Sequence, residues 1–138
     1  MSEYHLAQFN RATLLYPSDH PSMFRFGLGA RQVTRLAAEA AGHIWSEQDI
    51  IDEKAFATRS LWSSPAALEA FVYSGTHHAY MKQSNRWFAK AEGPNFVLWW
   101  VPPNARPSLE EAEDRLNLLI AAGPTEEAFD LAWLRRQN

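Results

Sequence analysis

The sequence predicts an α+β domain of ferredoxin-like topology, a βαββαβ chain with extra helices that builds an antiparallel four-stranded sheet and pairs with a second copy as a dimeric α/β barrel. Three observations predict it. Strand-like and helix-like periodicities alternate in the order β-α-β-β-α-(α)-β-α, two split βαβ units in succession. The 138 residues make one domain spanning 1–138 and leave no room for a second full core. The segment Asn95–Val101 is nearly continuous in apolar character, so it calls for cover on both faces. Helices of such a fold lie on one face only. Back-to-back pairing of two sheets would cover the other.

Each element has its own signal. Tyr4 to Asn10 alternates as a strand, with Leu6, Gln8 and Asn10 on one face and His5, Ala7 and Phe9 on the other. Arg11 to Ser22 reads as a long loop broken by Pro17 and Pro21. Phe26, Gly29, Ala30, Val33, Leu36, Ala37 and Ala40 keep helical spacing, and Gly42 is placed to stop that helix. His43 to Gln48 reads as a strand and Asp49 to Glu53 as its turn, followed by a strand from Ala55 to Trp62. Ser64-Pro65 opens a helix with Leu68, Phe71 and Val72 inward, ended by Gly75. A further helix is expected from His77 through Phe88. After the Asn95–Val101 strand and Pro102-Pro103, Ser108 and Glu111 form a capping box for a helix that turns Leu109, Ala112, Leu116, Leu119 and Ile120 inward. Gly123-Pro124 stops it, and the tail adds a short helical turn around Phe129.

Composition narrows the function. A formal charge of −3 argues against a general nucleic-acid binder, which needs a basic surface. No apolar run reaches the roughly 18 residues of a membrane span. The absence of cysteine excludes disulfides and thiolate chemistry and fits a cytoplasmic setting. No phosphate loop, HExxH, GxSxG or dinucleotide fingerprint is present, so a nucleotide cofactor is not expected. Asp49, Asp52 and Glu53 lack the spacing and glycine of a calcium loop. What stands out is six Trp, eight Phe and four Tyr, enough rings for both a core and the wall of an apolar pocket.

Within that pocket His77 is the expected catalytic group, since an imidazole on a stripe with Tyr80, Met81, Trp87 and Phe88 can accept a proton or ligate haem. Its competing role is a helix-end histidine bonded to backbone. Asn10 and Gln8 can orient a carbonyl or phenol. Trp62, Trp45, Trp99 and Trp100 are candidate walls; Trp99 and Trp100 alternate, so only one of them faces the pocket. Arg86 shares a polar stripe with Lys82 and Lys90, and otherwise is a solvated surface cation.

Several segments together resemble one family. Tyr4 to Asn10, Leu61-Trp62-Ser63-Ser64, Phe71-Val72-Tyr73-Ser74-Gly75 leading to His77, Arg86-Trp87-Phe88, Val97-Leu98-Trp99-Trp100-Val101-Pro102 and Gly123 to Phe129 are similar to the family called domain of unknown function 3291. That family resembles the dimeric α/β-barrel group, which includes antibiotic-biosynthesis monooxygenases and haem-degrading monooxygenases. The resemblance implies a homodimer with a pocket for a small apolar or aromatic molecule, adds Tyr73 to the substrate-binding candidates, and keeps Arg86 as an anchor for an anion. Against the haem-degrading members, Asn10 matches their first-strand Asn, Phe71 stands at their Trp, and His77 falls a few residues before their ligand. The leading expectation is an enzyme acting on an aromatic or polyketide-like substrate by oxygenation or isomerisation. A haem protein with His77 as axial ligand and a non-catalytic binding dimer are the alternatives.

Overall fold

The computed structural model describes residues 4–17, 19–73, 79, 82, 87–89 and 93–137. Strand β1 spans His5–Thr13, helix α1 Phe24–Glu39, β2 His43–Asp52, β3 Ala55–Trp62, α2 Pro65–Val72, β4 Phe96–Val101, α3 Leu109–Ala122 and α4 Leu131–Arg136. The four strands form one antiparallel sheet in the order β2-β3-β1-β4. This is the ferredoxin-like arrangement expected from the element order.

Capping follows the sequence closely. The Ser64 hydroxyl accepts from the Ala67 amide at the start of α2, and Asp130 accepts from the Trp133 amide at the start of α4. Ser108 accepts from the Glu111 amide in the same way, but the Glu111 carboxylate does not close a capping box. It takes the indole N–H of Trp99 instead, at 3.1 Å. Gly42 joins α1 to β2 at φ 84°, and a Cβ there would stand 2.4 Å from Ala67 Cβ and 2.7 Å from Ser63 Oγ. Gly42→Ala should therefore cost roughly 2 kcal/mol or more, the left-handed penalty plus displacement of α2; an unchanged midpoint of thermal unfolding would contradict the close approach.

Several boundaries differ from the sequence reading. The segment from Arg11 to Thr13 continues β1 because β3 pairs with it as far as Thr13 opposite Ala55. The acidic stretch from Asp49 stays in β2 through Asp52, because Asp49 is neutralised by Arg59 and needs no solvated turn. Trp87 and Phe88 are not helical: Phe88 bridges Leu14, with Leu15 N donating to Trp87 O and Ala89 N to Thr13 O. Phe129 likewise bridges Leu98, and the last helix begins beyond it. Ile120 is 54% exposed, at the outer edge of the α3 stripe.

The principal correction concerns the second sheet face. Helices α1, α2 and α4 cover the face bearing Leu6, Trp62 and Leu98. Helix α3 packs Ala112, Leu116 and Leu119 on the other face, against Ala7, Phe9, Val97 and Trp99. The chain thus supplies part of the cover that pairing alone was expected to supply, chiefly over β4 and β1.

A polar floor between aromatic clusters

Strand register lays the α1/α2-facing side of the sheet out in rows. The first row carries His43, Trp62, Leu6 and Trp100 across the four strands. The next two carry Ser46, Ser60 and Gln8, then Gln48, Thr58 and Asn10, and end on β4 with Leu98 and Phe96. The fourth holds Ile50, Phe56 and Ala12. Six neutral polar side chains therefore occupy the middle of a face that would ordinarily be apolar under helices.

Both ends of this floor are aromatic. At one end Trp62 stacks on Phe71 of α2 at 5.4 Å, with His43 edge-on to it at 5.3 Å. At the other, Phe26 of α1 meets Phe56 and Phe88 edge-to-face at 5.4 and 5.2 Å, beside Trp87.

The floor is wired in one direction. The indole N–H of Trp62, which can only donate, bonds Ser60 Oγ at 2.9 Å. Ser60 donates to Gln8 Oε1 at 2.7 Å, and Gln8 Nε2 donates to Asn10 Oδ1 at 2.8 Å. Gln8 and Ser60 are only 6% and 5% exposed, so these bonds are sheltered and polarise one another. The chain leaves the Asn10 amide nitrogen as its free end, with no partner among the described residues. At the far side of β2, Gln48 bonds the hydroxyl of Thr34, tying the floor to α1.

His43 joins this face without having been singled out in the sequence. Its Nε2 lies 3.0 Å from Ser46 Oγ, and burial lowers its pKa from the ordinary histidine value. A β-bulge between His43 and Trp45 turns both His43 and Ser46 to the same side as Ser60. Simple alternation from Trp45 would have turned His43 away.

The remaining candidates separate. Gln8, Asn10 and Trp62 come together as above. Trp99 and Trp45 lie on the opposite sheet face: Trp99 is buried under α3, bonded to Glu111, and the guanidiniums of Arg59 and Arg106 stand 5.5 and 5.8 Å from the centre of the Trp45 ring. Of the paired indoles it is Trp100, 36% exposed, that shares the face of Gln8, where it leans on Phe129. Tyr73 ends α2 at the surface, its hydroxyl accepting from Arg135. His77 and Arg86 lie outside the described residues. The haem alternative, which depended on His77, gains no support, and no cluster of three or more His, Asp or Glu able to hold a metal ion occurs among the described residues.

The family model described as Domain of unknown function (DUF3291) matches residues 5–137. The chain belongs to that family. No curated protein matches it. Among solved structures, this DUF3291 chain is similar to SnoaB, a cofactor-independent oxygenase from Streptomyces nogalater, at TM-score 0.55 and 12% identity, over 78% of this chain and 99% of the other. It is also similar to a Nitrosomonas europaea protein provisionally assigned as an antibiotic biosynthesis monooxygenase, at TM-score 0.57 and 9% identity, over 78% and 98%. A second Nitrosomonas europaea protein, NE2512 of unknown function, matches at 0.55 and 14%, over 77% and 95%. At such identities the likeness establishes the fold alone, the ferredoxin-like α+β arrangement, for this DUF3291 member.

Proposed function

We propose that the chain is a small-molecule enzyme of the monooxygenase-like kind, acting on a neutral aromatic or polyketide-like substrate that lies on the polar floor, without a nucleotide cofactor. The carrying observation is the hydrogen-bond chain that starts at Trp62 and ends in the free amide donor of Asn10. A half-buried donor of this kind recognises a carbonyl or phenol oxygen. The aromatic clusters at either end suit the rings that bear it. The floor carries no charge, which favours a neutral ligand, since an ion placed there would lose its hydration without a partner. The name of SnoaB, a cofactor-independent oxygenase on the same fold, supports chemistry carried by substrate and side chains alone.

His77 and Arg86 remain the candidates for base and anion anchor in this reading. Pairing of two copies in the cytoplasm belongs to it as well, through the part of the second sheet face around β2 and β3. Sedimentation of the purified chain as a monomer at micromolar concentration would remove the pairing.

Asn10 supplies the direct test. Asn10→Leu deletes the donor, and Asn10→Asp keeps an acceptor for Gln8 while presenting a carboxylate where the substrate oxygen should sit. Both should weaken binding of an aromatic ketone or phenol, read by thermal stabilisation or fluorescence, by about 10- to 100-fold. Unaltered affinity in both variants would remove the floor from the binding site.

A further inference from the structure

We propose that His43 and Ser46 form the proton-accepting end of the site, opposite the donor end at Asn10, so that the ligand carries an acidic hydroxyl as well as a carbonyl oxygen. This inference rests on the floor being the binding site and adds a chemical requirement to it. Ser46 stands in the same row as Ser60 and Gln8, and its hydroxyl oxygen is 3.0 Å from Nε2 of His43. A ligand hydroxyl seated on that row meets Ser46 first. Its O–H bond breaks and the proton passes to Ser46 Oγ while the Ser46 proton passes to His43 Nε2. The electron pair stays on the ligand oxygen, leaving an oxyanion and an imidazolium.

The surroundings fit an imidazole held ready to accept. On β2 Asp49 and Glu47 are bound to Arg59, which projects from the other face of the sheet, and on α2 Glu69 is paired with Arg135. No described charged side chain is bonded to His43. Burial keeps the ring neutral near pH 7, so the acceptor lone pair is available. Donor and acceptor ends are also spaced. Ser46 on β2 and Asn10 on β1 are separated by β3 and by one row, about 10 to 12 Å between their backbones. A molecule of two or three fused rings, with its oxygens at opposite ends, spans that distance.

7-Hydroxycoumarin has this form, and ionisation of its hydroxyl moves its absorption to longer wavelength. The test is its spectrum against pH, free and with saturating protein. An apolar pocket without an acceptor would raise the pH at which the bound dye ionises. The pair should lower it by about one unit. At protein concentrations that saturate the dye, His43→Gln and, as a gentler change, Ser46→Ala should each lose the lowering. Binding with no lowering, or a lowering that survives both substitutions, would overturn the acceptor while leaving the floor in place. Failure of the unaltered protein to bind the dye, or binding that Asn10→Leu leaves unchanged, would overturn the floor and the acceptor together.

Discussion

Replacing Arg59 with Met is expected to lower unfolding stability by about 3 to 5 kcal/mol, among the largest effects of any single polar substitution in the chain. Arg59 projects from β3 on the α3 side of the sheet and is only 9% exposed. Its Nε and Nη2 hold both oxygens of Asp49 at 2.8 and 2.9 Å, Nη2 also reaches Glu47 at 2.6 Å, and Nη1 donates to the carbonyl of Pro107 at 2.7 Å. One guanidinium thereby fastens the edge strand β2 and the loop leading into α3 to the middle of the sheet. The Asp49 carboxylate, by its hydrogen bonds and its charge, raises the guanidinium pKa and keeps the cation in place. Met fills the volume but leaves Asp49 without its counter-charge. Asp49→Leu combined with Arg59→Met should recover a good part of the loss, because it removes the orphaned anion. Denaturant unfolding of the single and double variants checks both statements. A loss below about 1 kcal/mol in the single variant would show the network to be superficial.

Phe129→Ala should cost about 3 to 5 kcal/mol and release the C-terminal helix. The ring is fully buried, stacked on Trp133 at 4.8 Å and leaning on Trp100. Its backbone exchanges two hydrogen bonds with Leu98, of 2.8 and 2.9 Å. Helix α4 is too short to persist by itself. It is held by this ring, by Leu131 and Leu134 in the same cluster, and by Arg135, which bonds Glu69 and Tyr73 at the end of α2. Loss of the ring should therefore appear as a lower denaturation midpoint and as faster tryptic cleavage after Arg135. Cleavage at the unaltered rate would mean that the surface contacts suffice.

The sequence carried the order of elements and the polar face of β1 plainly, because periods of two and 3.6 and cap residues are local signals. Gln8 and Asn10 were legible as a pair for that reason. What they bond was not, since Ser60 and Trp62 become their neighbours only through the register of β3. His43 escaped for a different cause. A bulge at the start of β2 reverses the face that alternation predicts, and bulges leave little trace in residue types. Arg59 was hidden inside an otherwise ordinary strand, and only the neighbouring strand reveals that Asp49 and Glu47 meet it. Ring content alone makes Trp45 and Trp99 candidate pocket walls. Ring content does not say which side of a sheet a side chain takes.

The strand-like contact at Phe129 has a consequence for how this chain meets other chains. By exchanging both of its backbone hydrogen bonds with Leu98 it blocks the middle of the outer edge of β4, one of the two margins where the sheet would otherwise accept a foreign strand. Among the described strands, β2 then presents the only unfilled edge. Growth through edge-to-edge strand pairing ends as soon as two such edges meet. A chain with a single open margin can make a pair by that route, and it cannot make a fibre.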